Sequence, residues 1–160
     1  MKSLLALFAA LALVLPVTVQ AADVTITAAN VVPSANAKIK RGTAGVALTA
    51  GQLVYLESSS NTLKLADSNS ATAEARKVAG LAINSAPVGG PVHYVYQDPA
   101  LVLGGTTAKG AIYILSANAG AIAPAADLTT GWYPHVLAVG VSTTVVAFDA
   151  GGVRGSAAAD

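Results

Sequence analysis

The chain has 160 residues, 54% of them apolar and 11% charged, with a formal net charge of +1. That length suits one domain, the apolar excess excludes disorder for the bulk of it, and the near-zero charge provides no global field for nucleic acid. The chain contains no Cys, which excludes disulfides and thiolate metal sites.

The first 21 residues, "MKSLLALFAALALVLPVTVQA", place Lys2 before an apolar run from Leu4 to Leu15, then Pro16 and small residues up to Ala21. This is the layout of a secretory signal, and the run is short for a bilayer span. The alternative is an uncleaved hydrophobic arm.

Residues 22–47 read as an extended N-terminal arm and first strands. "DVTITAANVV" (23–32) alternates apolar residues with Thr and precedes Pro33. It stands outside the pattern that follows, so the arm is expected to be dispensable to the core and to pair with a neighbour's sheet edge through Val24, Ile26, Val31 and Val32. "AKIKRGTAGVAL" (37–48) reads as a strand broken by Gly42 and Gly45. It carries the one basic cluster, Lys38, Lys40 and Arg41, which is either a partner contact or a solvated strand edge guarded by Lys.

A β-domain is expected over 48–149. "QLVYLES" (52–58) and "TLKLA" (62–66) form a hairpin around "SSSN". "SNSATAEARK" (68–77) is a polar loop. "VAGLAIN" (78–84) and "VHYVY" (92–96) are strands on either side of the "PVGGP" turn. The order then repeats. "AIYILS" (111–116) and "AIA" (121–123) make a second hairpin, followed by a loop through "DLTTG" and by strands at 133–142 and 144–148.

The two units, at about 48–97 and 106–149, match best in alternation. Side chains alternate between the two faces of a strand. Val54 and Leu56 therefore oppose Tyr55, as Ile112 and Ile114 oppose Tyr113. Ala79, Leu81 and Ile83 oppose Gly80 and Ala82, and Leu137, Val139 and Val141 oppose Ala138 and Gly140. The small-residue faces suit close packing, either on another sheet of the same domain or on another chain. The expected fold is all-β: a small barrel or sandwich of two similar hairpin-containing repeats, with an extended N-terminal arm and a flexible tail over 150–160.

Little here suggests chemistry. His93 and His135 each sit in an apolar run, which suits satisfied side chains better than metal ligands. Asp67, Asp98, Asp127 and Asp149 adjoin turn residues and read as turn formers. Ser58–Ser60 lacks a nucleophile-elbow context, and "GGTTAKG" (104–110) departs from the phosphate-loop order. No catalytic, cofactor-binding or metal-binding residue is expected. Trp132 and Tyr133, after the "TTG" turn, are either a contact anchor or a plug at one end of the barrel.

The arm "TAANV", "TAGQ" before the first hairpin, "LADSN", "VAGLAIN" with its "GGPV", and "GAIYILSANAGAIAPAADLTTGW" follow one another in an order that resembles the head decoration, or capsid cement, proteins of tailed bacteriophages. The resemblance covers about residues 24–148. It implies an all-β structural protein on the exterior of a virion capsid, with no enzyme activity and no cofactor. Its implied partners are the major capsid protein and copies of itself, a trimer first and a dimer as the alternative. It implies no nucleic-acid partner and no membrane contact for residues 22–160. The departure is the signal-like start, which is read as an over-extended gene start, as a capsid-inserted arm, or as the mark of an exported relative; the last gives the alternative function, an exported β-rich adhesin or carbohydrate-binding module at the periplasm or cell surface.

Overall fold

The computed structural model describes residues 22–156 and 158–159; the signal-like segment lies outside the described residues. These residues form nine strands, two single-turn 3-10 segments and no α-helix. The strands are β1 (Lys38–Thr43), β2 (Leu53–Glu57), β3 (Thr62–Leu65), β4 (Gly80–Ala82), β5 (Pro91–Val102), β6 (Ile112–Leu115), β7 (Ile122–Pro124), β8 (Val136–Gly140) and β9 (Val145–Asp149). The all-β expectation holds, and every pairing between named strands is antiparallel.

The order across the curled sheet is β3-β2-β4-β5-β9-β8-β6-β7. It reads the same from either end. In each half a hairpin (β2–β3, β6–β7) is extended by a third strand beside its first (β4, β8) and then by a fourth (β5, β9). The halves join where β5 pairs β9. Repetition seen in the sequence is thus repetition of topology.

Strand β5 organises the fold. Val95 pairs Ile39 of β1 on one edge and Leu81 of β4 on the other, and Gln97 likewise pairs both Lys38 and Asp149 of β9. Therefore β4 and β9 follow one another along the edge opposite β1. The ladder with β9 shifts register between Asp98 and Leu101, which is where Pro99 lies. Pro cannot donate to a ladder and is tolerated at such a bulge, and a bulge bends the strand. The apolar alternation ends at residue 96, but the strand runs on to Val102 because the bulge accommodates Pro99.

The main core lies between the two halves. It draws Leu53 and Tyr55 from β2, Leu81 from β4, Val95 and Leu101 from β5, Tyr113 and Leu115 from β6, and Val146 and Phe148 from β9. A second cluster, including Val54, Leu63, Ala82 and Tyr94, lies on the other face of the first half. Strand β1 closes it, passing through Gly42 and ending in a bridge from Ala44 to Leu63. The first half is therefore buried on both faces, which explains the unbroken apolar run of "VAGLAIN".

Three sequence expectations are corrected. First, the arm packs on its own chain. Val24 N–H donates to Ile122 O at 2.8 Å, Thr27 N–H donates to Gly104 O at 2.9 Å, and Val32 exchanges two 3.0 Å bonds with Val102. Val31 belongs to the main core, with Val24 and Ile26 packed against it. Gly104 and Gly105 admit this contact, because a side chain at either would meet the backbone oxygen of Thr27 or Thr25. Second, the tail is paired rather than loose. Val136 N–H donates to Val153 O, Gly155 N–H to Pro134 O and Ala159 N–H to Trp132 O, at 2.7–2.8 Å. Third, Leu137 and Val139 do not share an environment. Ile114 pairs Val136 while Tyr113 pairs Ala138, so Leu137 is the extra residue of a bulge. Leu137 turns into the core and Val139 is left exposed.

Candidate functional site

The small-residue faces are used inside the chain. A side chain at Gly80 would meet Val95 O and the Tyr94 ring, and one at Gly140 would meet Ala108 O. Ala82 and Ala138 are buried in the two cores. Of the two readings open to these faces, packing within the domain is the one the structure shows.

The surface that remains bare lies elsewhere. In the second half, the core side takes Val146 and Phe148, so Val145 and Ala147 alternate to the outer face. Val139 pairs both Ala147 and Ile112. Val102 pairs Val145 on one side and Val32 on the other, and Val141 N–H bonds Val145 O. These side chains form two adjacent rows, Val32–Val102–Val145–Val141 and Ile112–Val139–Ala147. None is charged. Val32, Ile112, Val139 and Val141 are each 43–52% exposed. The corresponding face of the first half is the one β1 closes; among the described residues no strand takes that place in the second half, whose outer face is closed at Ile114 and bare at Ile112 and Val139.

The predicted contact residues divide accordingly. Val32 lies in the outer rows, whereas Val24, Ile26 and Val31 are committed to the main core. Lys38, Lys40 and Arg41 are exposed along β1. Lys38 donates to Gln97 Oε1 at 2.6 Å, and the Lys40 ammonium lies 4.7 Å from the Tyr96 ring centre. Both side chains thus lie back on β5 and cover its surface, as long cationic stems do. Trp132 and Tyr133 are half-buried, and the Tyr133 ring stacks under the Arg76 guanidinium at 3.7 Å.

The Asp residues behave as turn formers. Asp67, Asp98 and Asp149 each accept a backbone N–H two residues on, from Asn69, Ala100 and Gly151. Asp98, buried, also accepts from Ser34 N–H and Oγ–H and so ties the turn before β1 to β5. His135 is buried, with Nε2 at 3.1 Å from Ala150 O and Nδ1 unpartnered. Burial, then the Arg154 charge, pushes its pKa down to about 4. The imidazole is therefore neutral near pH 7 and enclosed by its own chain.

A further group escaped the sequence reading. Arg76, Lys77 and Arg154 converge with Tyr133 on one cleft. Arg76 and Lys77 stood in a polar loop and Arg154 in a supposed tail, and no spacing links them. Only the pairing of the C-terminal segment with residues 132–136 brings them together.

No protein-family model, curated protein or solved structure matches the chain.

Proposed function

We propose that this chain is a structural virion protein that binds the outside of a phage capsid and cements or decorates its capsomers. The observation that carries the reading is the uncharged outer face built by Val32, Val102, Ile112, Val139, Val141 and Val145. Contiguous apolar surface of this kind marks an interaction site. The internal repeat sharpens the point, because the equivalent face of the first half is closed by β1. The partner is read from the resemblance of the order of sequence elements to that of head decoration proteins. In this reading the face meets the major capsid protein, and copies of the chain associate with one another, as a trimer before a dimer.

Co-sedimentation with empty phage shells tests it: the protein should pellet with shells and stay in solution without them. Failure to bind shells at micromolar concentration would overturn the assignment. A second reading, an exported β-rich adhesin or carbohydrate-binding module, is favoured by the signal-like order of residues 1–21. Intact mass of the native product separates the two. A mass beginning at Ala22 in an extracytoplasmic fraction supports export; a mass retaining Leu4–Leu15 on particles supports the capsid.

A further inference from the structure

The cleft at the C-terminal segment has the chemistry of an anion site. It encloses about 370 Å³ and, among the described residues, is lined by Arg76, Lys77, Arg154 and Tyr133, together with small residues and Pro134, with no carboxylate among these. Among the described residues the ion pair within bonding distance is Lys64–Glu57, on the first hairpin, so none of the three cleft cations has a carboxylate partner. Glu74, the acid nearest in sequence to Arg76 and Lys77, is engaged by Ser58, whose N–H and Oγ–H both donate to it.

Two features preorganise the site. The Arg76 guanidinium carbon lies over the Tyr133 ring, 3.7 Å from its centre, and its Nη1 donates to Ser70 O at 3.2 Å. The ring and the Ser70 bond hold the guanidinium in place, and its other N–H groups, which have no partner among the described residues, can meet a bidentate oxyanion. The backbone also takes part. Val136 N–H bonds Val153 O and Gly155 N–H bonds Pro134 O, so His135 and Arg154 are a non-hydrogen-bonded pair. In that pattern the N–H and C=O of Arg154 point away from the sheet. They have no partner among the described residues, so a strand edge stands open beside three cations.

We propose that this cleft takes an extended acidic peptide segment, whose backbone pairs with Arg154 while its carboxylates meet Arg76, Lys77 and the Arg154 guanidinium. Strand addition supplies backbone affinity and the charges select the sequence. The open strand edge favours a peptide over a free oxyanion, which needs no backbone partner. The inference does not depend on the capsid assignment, because its test uses a peptide alone.

Trp132 is the single tryptophan and adjoins Tyr133, so its emission reports on the site. The purified full chain is titrated with a blocked hexapeptide alternating Val and Glu, with the same peptide carrying Gln for Glu, and with inorganic phosphate. The expected result is a saturable, salt-sensitive emission change with the Glu peptide alone. Affinity should fall about a hundredfold in the Arg76→Gln/Arg154→Gln double variant, since each of the two lost charge-assisted bonds costs about tenfold. It should be unchanged in Lys38→Gln/Lys40→Gln. If the Arg76 change unfolds the protein, the exposed pair Lys77→Gln/Arg154→Gln carries the test. Equal binding of the Gln peptide, undiminished binding in the cleft variants, or phosphate binding as tightly as the peptide would overturn the proposal.

Discussion

Tyr55 and Tyr113 hold matching places on the first strands of the two hairpins, and both rings lie in the core shared by the halves. They differ at the hydroxyl. Tyr113 Oη accepts the Ala108 N–H at 2.8 Å, tying the loop before β6 to the core. Replacing either residue by Ala should cost about 3–5 kcal/mol, the usual range for a buried aromatic. Replacement by Phe should separate them: Tyr113→Phe leaves the Ala108 N–H without its acceptor and costs about 1 kcal/mol, whereas Tyr55→Phe costs less. Urea unfolding of the four variants checks this, and equal losses in the two Phe variants would contradict it.

Gly140 offers a sharper test of the packing. A methyl group there would collide with the backbone oxygen of Ala108, which cannot rotate away as a side chain could. Gly140→Ala is expected to destabilise by about 1–3 kcal/mol, as overpacking does. Gly89→Ala should cost less. Its φ is +79°, but nothing lies within reach of an added methyl, so only the backbone preference is lost. Thermal melts rank the two.

The repeat was legible in the sequence because alternation and turn residues carry it: both hairpins, both following strands and their order stand where the pattern put them. What alternation could not show was which face is buried. Tyr55 and Tyr113 point to the main core, while the more apolar side divides, with Val54 covered by β1 and Ile112 left in solvent. The bulge at Leu137 was invisible for the same reason, since one extra residue reverses the phase without altering composition. The arm and the tail misled because short segments rich in Val, Thr, Gly or Ala look alike whether they pair with their own chain or with another. Their bonds reach residues distant in sequence, such as Val24 to Ile122 and Ala159 to Trp132. The Arg76–Arg154 cluster is of that type too.

The arm accordingly belongs to the stability of the domain. Deleting residues 1–32 removes Val31 from the core, the packing of Val24 and Ile26, and the two bonds between Val32 and Val102. Even Val31 alone is a side chain worth about 1.5–3 kcal/mol when buried. The truncated chain should melt several degrees lower than a chain beginning at Ala22. Identical melts for the two would show that the arm's contacts add nothing.

His135 sets a pH dependence. Its pKa stands at about 4 in the fold, against 6.5 for an ordinary His, with burial the first cause and Arg154 the second. Between those values the unfolded chain binds a proton that the folded chain does not, so stability rises with pH across that window. The contribution is fully present above pH 6.5 and is lost as pH falls toward 4. At about 1.4 kcal/mol per pH unit, the span is on the order of 3 kcal/mol. Urea midpoints measured from pH 4 to pH 8 should show this slope in the native protein and lose most of it in His135→Gln. A slope that survives the substitution would assign it to the carboxylates instead.

The last prediction separates folding from attachment. Ile112 and Val139 face each other across β6 and β8, on the side away from the core, and both are about half exposed. A charge there meets water rather than a packed interior, so Ile112→Lys and Val139→Lys should each change stability by less than about 1 kcal/mol. Placed in a docked interface, the same charge is desolvated without a partner, which costs several kcal/mol. If this face meets the shell, the two variants should melt like the native protein yet fail to pellet with capsids at concentrations where the native protein saturates them. Val153→Lys is the control, since Val153 is more exposed still and lies on the C-terminal segment; it should bind shells normally. Loss of binding in all three would point to a general effect of added charge. Retention in Ile112→Lys and Val139→Lys would move the contact off the outer rows, with the basic strand β1 the next surface to test.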